Sequence, residues 1–223
     1  TLGAVVENRA LVAALHGALA QRPEVRWLAP GSVRASRAQA TAREITTTAG
    51  ETVSATLAVA AEGMHSPLRG VAGIAAWVDD FGQAALVTHV RTANPHQRIA
   101  YQRFLPDGPL ALLPLPDGRV SVVWSTRPAQ ARMLAGLPAA EFCAALAGAS
   151  AWRLGEVLEV DARQVLPLRG LRTQTYHADR VALVGDAAHV VHPLAGLGAT
   201  LGLADAASLA ELVGAAYGAG QDI

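Results

Sequence analysis

Leucines at four-residue spacing give the chain its first regular pattern. Leu11, Leu15 and Leu19 fall on one face of a helix, so this spacing predicts a helix over 7–21. The apolar run over 25–28 is too short for a helix and predicts a short strand. The chain therefore begins as a helix followed by extended structure.

Short extended segments then dominate the pattern. Residues 33–59 contain two or three apolar runs around a glycine-containing turn at 49–51, which predicts strands. From about 82 to 126, apolar residues recur at every second position between strong Asp-Gly turn pairs, which predicts a twisted antiparallel sheet. A helical pattern over 128–147 and an extended pattern over 157–168 follow.

The last stretch combines a short apolar run with a glycine-spaced helix start. Residues 181–184 are all apolar and run directly into Gly185 and Asp186, as a buried parallel strand does where it ends at a functional turn. A carboxylate at a strand end can accept hydrogen bonds from hydroxyls, and free N–H groups at a helix start favour negative charge. The segment therefore predicts a binding site for a hydroxyl-rich, electron-rich cofactor.

This segment resembles the C-terminal flavin motif of the class A flavoprotein aromatic hydroxylases. The family pattern reads Gly-Asp-Ala-Ala-His, three residues, Pro, two residues, Gly-Gln-Gly, any residue, Asn, any residue, Gly, with an Asp three residues on. The matching positions are Gly185, Asp186, Ala187, Ala188, His189, Pro193, Gly196, Gly198, Gly202 and Asp205. Leu197 replaces the usual Gln, and Thr200 replaces the usual Asn. The resemblance implies that the flavin is bound by Gly185, Asp186, Pro193, Gly196, Leu197, Gly198, Ala199 and Thr200.

A second motif of the same family is matched in part after the apolar residues 57–61. The family has Ala-Asp-Gly, two residues, Ser, two residues and Arg, and this chain has Gly63, Ser66 and Arg69 in register with Glu62 at the Asp position. The resemblance implies that Glu62, Gly63 and Arg69 serve the FAD and NAD(P)H sites. A plain helix cap with a solvated arginine is the alternative.

Arg9 lies in a third segment with a family likeness. Residues 6–9 resemble the segment that precedes a flavin-proximal helix in the ubiquinone-biosynthesis branch, which implies that Arg9 lies near the flavin. An arginine fork binds phosphate or carbonyl oxygens with two donors. An exposed arginine in the first turn of a helix is the alternative.

Residues 98–125 resemble the inserted sheet of the hydroxylases that act on polyprenylated phenols in ubiquinone biosynthesis. We expect one face of this sheet to offer Phe104, Leu113 and Trp124, together with Pro193, to an aromatic ring with an apolar tail. The alternative is that these side chains form the core of the sheet.

The order of elements, with the resemblance, predicts an α/β chain carrying an α+β insertion. We expect an incomplete Rossmann-like FAD-binding domain, made of 1–80 and 169–223, that is interrupted by an antiparallel substrate sheet over 81–168. No Gly-x-Gly-x-x-Gly that binds the ADP half of FAD is present. The 223 residues are therefore expected to be a fragment that binds FAD weakly or not at all and is inactive alone.

The resemblance implies hydroxylation of the aromatic ring of a polyprenylphenol-type ubiquinone precursor, with FAD as cofactor and NAD(P)H and O₂ as co-substrates. One alternative is a flavin hydroxylase of a soluble aromatic compound. Another is a flavin-free binding or scaffold protein of the pathway, in which Glu62, Leu197 and Thr200 mark loss of the cofactor site.

The charge balance and the cysteine and histidine content argue against several other kinds of site. Lys plus Arg and Asp plus Glu both total 18, so no basic surface points to nucleic acid. The single cysteine, Cys143, cannot form an internal disulfide and fits a buried apolar position. His189 and His192 lack the companion ligands of a metal site, and no catalytic side chain is assigned because the cofactor carries the chemistry. We expect a cytoplasmic protein with peripheral contact to the inner membrane or to a ubiquinone-pathway protein.

Overall fold

The computed structural model describes residues 3–223, apart from the side chain of residue 195. The helices are α1 (Asn8–Ala20), α2 (Pro67–Val71), α3 (Pro128–Gly136), α4 (Ala139–Ala149) and α5 (Leu197–Gly218). The strands are β1 (Val33–Ala38), β2 (Arg43–Thr47), β3 (Thr52–Ala55), β4 (Ala58–Ala60), β5 (Ala76–Thr92), β6 (Tyr101–Leu105), β7 (Gly108–Pro114), β8 (Val120–Thr126), β9 (Val157–Val160), β10 (Gln164–Thr173), β11 (His177–Ala178), β12 (Val181–Leu183) and β13 (His189–Val190). Short 3₁₀ turns lie at Gly185–Ala187 and Leu194–Gly196.

Two compact units divide the described chain. The sheet unit contains 3–26 and 82–168, and the motif unit contains 27–81 and 169–223. Two of these boundaries fall at or beside those expected from the sequence, whereas the first 26 residues group with the sheet rather than with the rest of 1–80. The cofactor and substrate roles assigned to the predicted domains remain predictions.

The sheet unit is built on antiparallel strands, as predicted. β8 lies between β5 and β7, β6 pairs with the far side of β7, and β9 pairs with the end of β5. One face of these strands packs with the helices around a core that includes Leu86, Val122, Phe142 and Leu146. The single helix expected over 128–147 is instead α3 and α4. The break occurs because Pro138 disfavours a helical conformation in the residue before it.

A charged network fixes the start of α1 within the sheet unit. The Arg119 guanidinium donates to Glu7, to Asp117 and to Asp161, at 3.2, 2.7 and 2.9 Å. Glu7 is the residue that precedes α1, and α1 itself lies where the leucine spacing predicted a helix. The hydrogen bond from Arg119 lowers the pKa of the Asp117 carboxyl below its usual value of 3.8.

The motif unit contains two three-stranded sheets. β1, β2 and β3 form an antiparallel sheet, and β11, β12 and β4 form the other. β12 pairs in parallel with β4, with Val181 opposite Ala58 and Leu183 opposite Ala60, which confirms the predicted buried parallel strand. Their apolar side chains form the core of the unit with Leu68.

The short strand predicted at 25–28 is wrong. No strand is assigned to these residues, and the Val25 and Trp27 side chains are exposed. Pro23 and Pro30 bound the run, and proline has no N–H group to donate to a neighbouring strand. Without a hydrogen-bonded neighbour, an apolar run of this length does not form a strand.

α5 is the one element of the described chain that is long and apolar enough to cross a membrane, judged by length and composition alone. A core helix of a soluble protein passes the same test. None of its described residues is fully buried.

Candidate functional site

The parallel pairing of β4 and β12 brings the two sequence motifs to one edge of a sheet. Parallel strands end at the same edge, so the turn at Glu62 and Gly63 lies beside the turn at Gly185 and Asp186. Such an edge is where α/β proteins commonly place ligands. The structure thus joins two segments that lie more than 100 residues apart in the sequence.

Glu62 shapes its own turn. Its carboxylate accepts a hydrogen bond from the Ser66 hydroxyl and, at 3.3 Å, from the Leu68 backbone N–H. The Ser66 oxygen in turn accepts from the Arg69 N–H at 3.1 Å and so caps α2. Gly63 has φ +83°, a conformation that side chains disfavour. The carboxylate of Glu62 is therefore committed to the start of α2.

Arg69 ties the two turns together. Its Nη1 donates to the Ala187 carbonyl at 2.9 Å, and its Nη2 donates to the Met64 carbonyl at 2.7 Å. The alternative of a solvated arginine therefore does not hold. In this structure Arg69 positions both turns.

The turn at Gly185 is held by a carboxylate from α5. Asp205 Oδ2 accepts from the Gly185 N–H at 2.8 Å and lies 2.7 Å from His189 Nε2. The Tyr176 ring lies beside the imidazole, with 5.7 Å between ring centroids. His189 and Asp205 were recognised only as matches to the motif, and the structure adds that they lock the turn. Their spacing alone gives no sign of this contact.

Two glycines let α5 approach this turn closely. A Cβ added at Gly202 would lie 3.1 Å from the Gly185 Cα, tighter than an ordinary contact. Gly185 itself has φ +58°. The backbones of turn and helix therefore touch with no side chain between them.

The start of α5 leaves hydrogen-bonding groups accessible. Gly196 precedes the helix with φ +66°, Leu197, Ala199 and Thr200 are exposed, and Gly198 is half-buried. The first N–H groups of a helix have no partner within it. Pro193 is also exposed, immediately before the 3₁₀ turn that leads to Gly196.

Asp186 is exposed beside this helix start in the motif unit. Among the described residues, none hydrogen-bonds its carboxylate. A free carboxylate and free helix N–H groups fit a ligand with hydroxyls along a chain and a partly negative edge, as a flavin has. Burial lowers the pKa of the His192 imidazole, which favours its neutral form.

The expected substrate face is wrong in one of its residues. Phe104 lies opposite Pro109 and is 73% exposed, whereas Trp124 lies opposite Leu110 and is buried in the core. Directly paired residues share a face and adjacent residues do not. Phe104 and Leu113 therefore share the face opposite to that of Trp124.

Arg9 lies in the sheet unit, in the first turn of α1. Its Nε donates to Glu7 at 2.6 Å, and its side chain is 80% exposed. Glu7 also accepts from Arg119, as described above. The structure therefore gives Arg9 a local partner, and its proximity to a flavin remains a prediction.

Comparison with known proteins identifies the family. Residues 31–222 match the family described as the FAD binding domain. The chain belongs to the FAD binding domain family. This membership confirms the expected kinship with FAD-dependent hydroxylases and supports FAD as the cofactor. The cofactor roles of the individual motif residues remain predictions.

Two relatives of this FAD binding domain protein are named as hydroxylases. It is 40% identical over 221 residues to ubiquinone hydroxylase UbiL of Rhodospirillum rubrum, which covers 99% of the chain and 52% of that protein. It is 37% identical over 212 residues to 3-demethoxyubiquinol 3-hydroxylase of Escherichia coli, covering 95% of the chain and 54% of that protein. The chain therefore spans about half the length of these relatives.

Solved structures confirm the fold class. PqsL, a probable FAD-dependent monooxygenase from Pseudomonas aeruginosa, superposes with a TM-score of 0.78 at 22% identity, over 93% of this chain and 60% of that one. A salicylate hydroxylase substrate complex gives a TM-score of 0.73 at 24% identity, over 94% and 57%. This FAD binding domain chain therefore has the mixed α/β fold predicted for it.

Proposed function

We propose that this chain supplies the flavin-facing part of an FAD-dependent monooxygenase that hydroxylates the aromatic ring of a polyprenylphenol-type ubiquinone precursor. The observation that carries the proposal is the joined pair of turns after β4 and β12. Arg69 and Asp205 hold these turns, and Asp186 is free beside the start of α5. The names of the relatives UbiL and 3-demethoxyubiquinol 3-hydroxylase support the substrate class.

Each residue of the site has a proposed task. Asp186 accepts hydrogen bonds from the ribityl hydroxyls, and the N–H groups over 197–200 stabilise negative charge on the pyrimidine edge of the flavin. Glu62 and Arg69 hold the turns that present these groups. Bound FAD supplies the redox chemistry, in which NAD(P)H is the reductant and one oxygen atom of O₂ enters the ring.

A titration with FAD tests the cofactor site. Asp186→Asn removes a charged acceptor, and a charge-assisted hydrogen bond contributes about 1.5–3 kcal/mol, so we expect FAD to bind at least about tenfold more weakly. Asp179→Asn is the matched control, because Asp179 is an exposed aspartate of the same unit. Flavin fluorescence gives the dissociation constants. Equal affinity of Asp186→Asn and wild type would contradict the proposed role.

NAD(P)H oxidation by the full-length protein that carries this chain tests the substrate class. We expect prenylated phenols to accelerate it more than simple phenols, and we propose that Phe104 and Leu113 contact the substrate. Phe104→Ala should raise the KM for the prenylated phenol without lowering FAD content, because Phe104 is 73% exposed and outside the core. Equal use of prenylated and simple phenols would favour the soluble-substrate alternative.

The flavin-free alternative has its own test. Leu197→Gln combined with Thr200→Asn restores the family residues at the start of α5. Both are made in the full-length protein that carries this chain. If the wild-type protein binds no FAD and the double variant does, the scaffold hypothesis is favoured over the enzyme. If both bind FAD, the enzyme proposal stands.

For a substrate with a polyprenyl tail, we propose a cytoplasmic location with peripheral membrane contact.

A further inference from the structure

A small cleft in the sheet unit lies outside both sequence motifs. Its volume is about 240 Å³. Leu110 and Leu112 form an apolar floor, and both belong to the buried core. The rest of the lining is polar or amphipathic: Tyr101, Gln102, Arg103, Ser150 and Arg153.

Two oriented guanidinium groups face this cleft. Arg153 lies over the Tyr101 ring, 4.6 Å from its centroid, and Arg103 Nη1 donates to the Ala149 carbonyl at 2.8 Å. Neither group pairs with a carboxylate among the described residues, whereas Arg119 pairs with three. Because a guanidinium carries five N–H donors, most of the donors in the cleft remain available.

The backbone that presents Arg153 is strained. Ala151 and Trp152 have φ of +54° and +56°, so two consecutive residues with side chains adopt the left-handed conformation. The turn that ends α4 enforces this conformation, because the Trp152 and Ala151 N–H groups donate to the Ala147 and Gly148 carbonyls at 2.8 and 3.0 Å. This helix end therefore sets the direction in which the next residue, Arg153, leaves the backbone.

We propose that this cleft binds an amphipathic anion, a carboxylate or phosphate group joined to a short apolar body. The forked guanidinium groups of Arg103 and Arg153 match the oxygens of such an anion. The apolar part lies on the leucine floor. A soluble acid and the headgroup of an anionic lipid share this chemistry. The site does not depend on the proposed function, because it involves neither turn.

Calorimetric titration with octanoate tests the site on the protein carrying this chain. We expect saturation at one octanoate per chain, with binding at least tenfold weaker for the uncharged octanamide. Arg103→Gln combined with Arg153→Gln should weaken octanoate at least tenfold. Arg132→Gln, an exposed arginine of α3 outside the cleft, should leave binding unchanged. Absence of saturation, equal binding of octanamide, or full binding by the double variant each overturns the proposal.

Two further measurements keep the test decisive. Circular dichroism checks that the double variant folds, and if it does not, each single variant is titrated and should lose at least threefold in affinity. Sedimentation with phosphatidylcholine vesicles, with and without phosphatidic acid, separates the two ligand sources. Arginine-dependent binding only to the acidic vesicles assigns a lipid headgroup, and octanoate binding without vesicle binding assigns a soluble acid. If the protein binds neither octanoate nor the acidic vesicles, the proposed site is overturned.

Discussion

Replacing Gly202 with alanine is expected to force α5 away from the turn at Gly185. The added Cβ would lie 3.1 Å from the Gly185 Cα, a few tenths of an ångström inside ordinary contact. The neighbour is backbone, which cannot rotate away as a side chain can. Overpacking of this kind costs about 1–3 kcal/mol.

Gly214→Ala is the matched control, because Gly214 lies in the same helix and its added Cβ would meet nothing within 4 Å. Alanine is about 1 kcal/mol more favourable than glycine inside a helix, and this gain applies at both positions. Gly214→Ala should therefore stabilise by about 1 kcal/mol, and Gly202→Ala should be neutral or destabilise by up to about 2 kcal/mol. The difference between the variants isolates the cost of the contact with Gly185.

Thermal unfolding followed by circular dichroism measures this difference. Since about 1 kcal/mol corresponds to roughly 2–4 °C for a chain of this size, Tm of the Gly202 variant should lie about 2–12 °C below that of the Gly214 variant. FAD affinity should also fall for Gly202→Ala alone, because the start of α5 moves relative to the turn at Gly185. Equal stabilisation by both substitutions would refute the close approach.

Three further predictions concern stability and reactivity. Asp205→Ala removes the carboxylate that contacts both His189 and the Gly185 N–H. The free energy of unfolding should therefore fall by about 2–4 kcal/mol in urea titrations, and by less for Asp205→Asn. An unchanged urea midpoint would show that this carboxylate does not stabilise the turn. Asp117 has a lowered pKa because of Arg119, so its stabilising contribution is present above pH 3.8 and is lost as the pH falls through the lowered pKa. Asp117→Asn should therefore flatten the loss of stability below about pH 4, and equal slopes of the two proteins there would contradict it. Burial raises the pKa of the Cys143 thiol, so iodoacetamide should react more slowly with the folded protein at about pH 8 than with the urea-unfolded chain, and equal rates would show that the thiol is not desolvated.

The local pattern of apolar and polar residues was sufficient to predict many of the strands and helices. The apolar run 181–184 predicted a buried parallel strand, and β12 is one, because four apolar residues before Gly-Asp leave few other local structures. The helix over 7–21 was likewise predicted from its leucine spacing. The break at Pro138 was foreseeable from proline chemistry, although the helical spacing continues across it.

The wrong or missing predictions concern which residues contact one another across the fold, because the local sequence pattern does not specify these contacts. The alternation of apolar residues indicates that Phe104 and Trp124 lie in strands. Whether they share a face of the sheet depends on the register between β6, β7 and β8. The site contacts have the same limit. The motif match placed Asp205 and Arg69 correctly in the sequence, yet only the folded chain shows that each one holds a turn.

The parallel pairing of β4 with β12 also determines when this protein can finish folding. Leu183 pairs opposite Ala60, 123 residues earlier in the chain. At synthesis rates of about 5–20 residues per second, β4 waits roughly 6–25 s for its partner to leave the ribosome. During that interval its apolar edge is exposed, while the antiparallel strands over 84–126 can already pair with one another. The site is therefore among the last parts of the nascent chain to assemble, and its yield depends on protection of β4 until then.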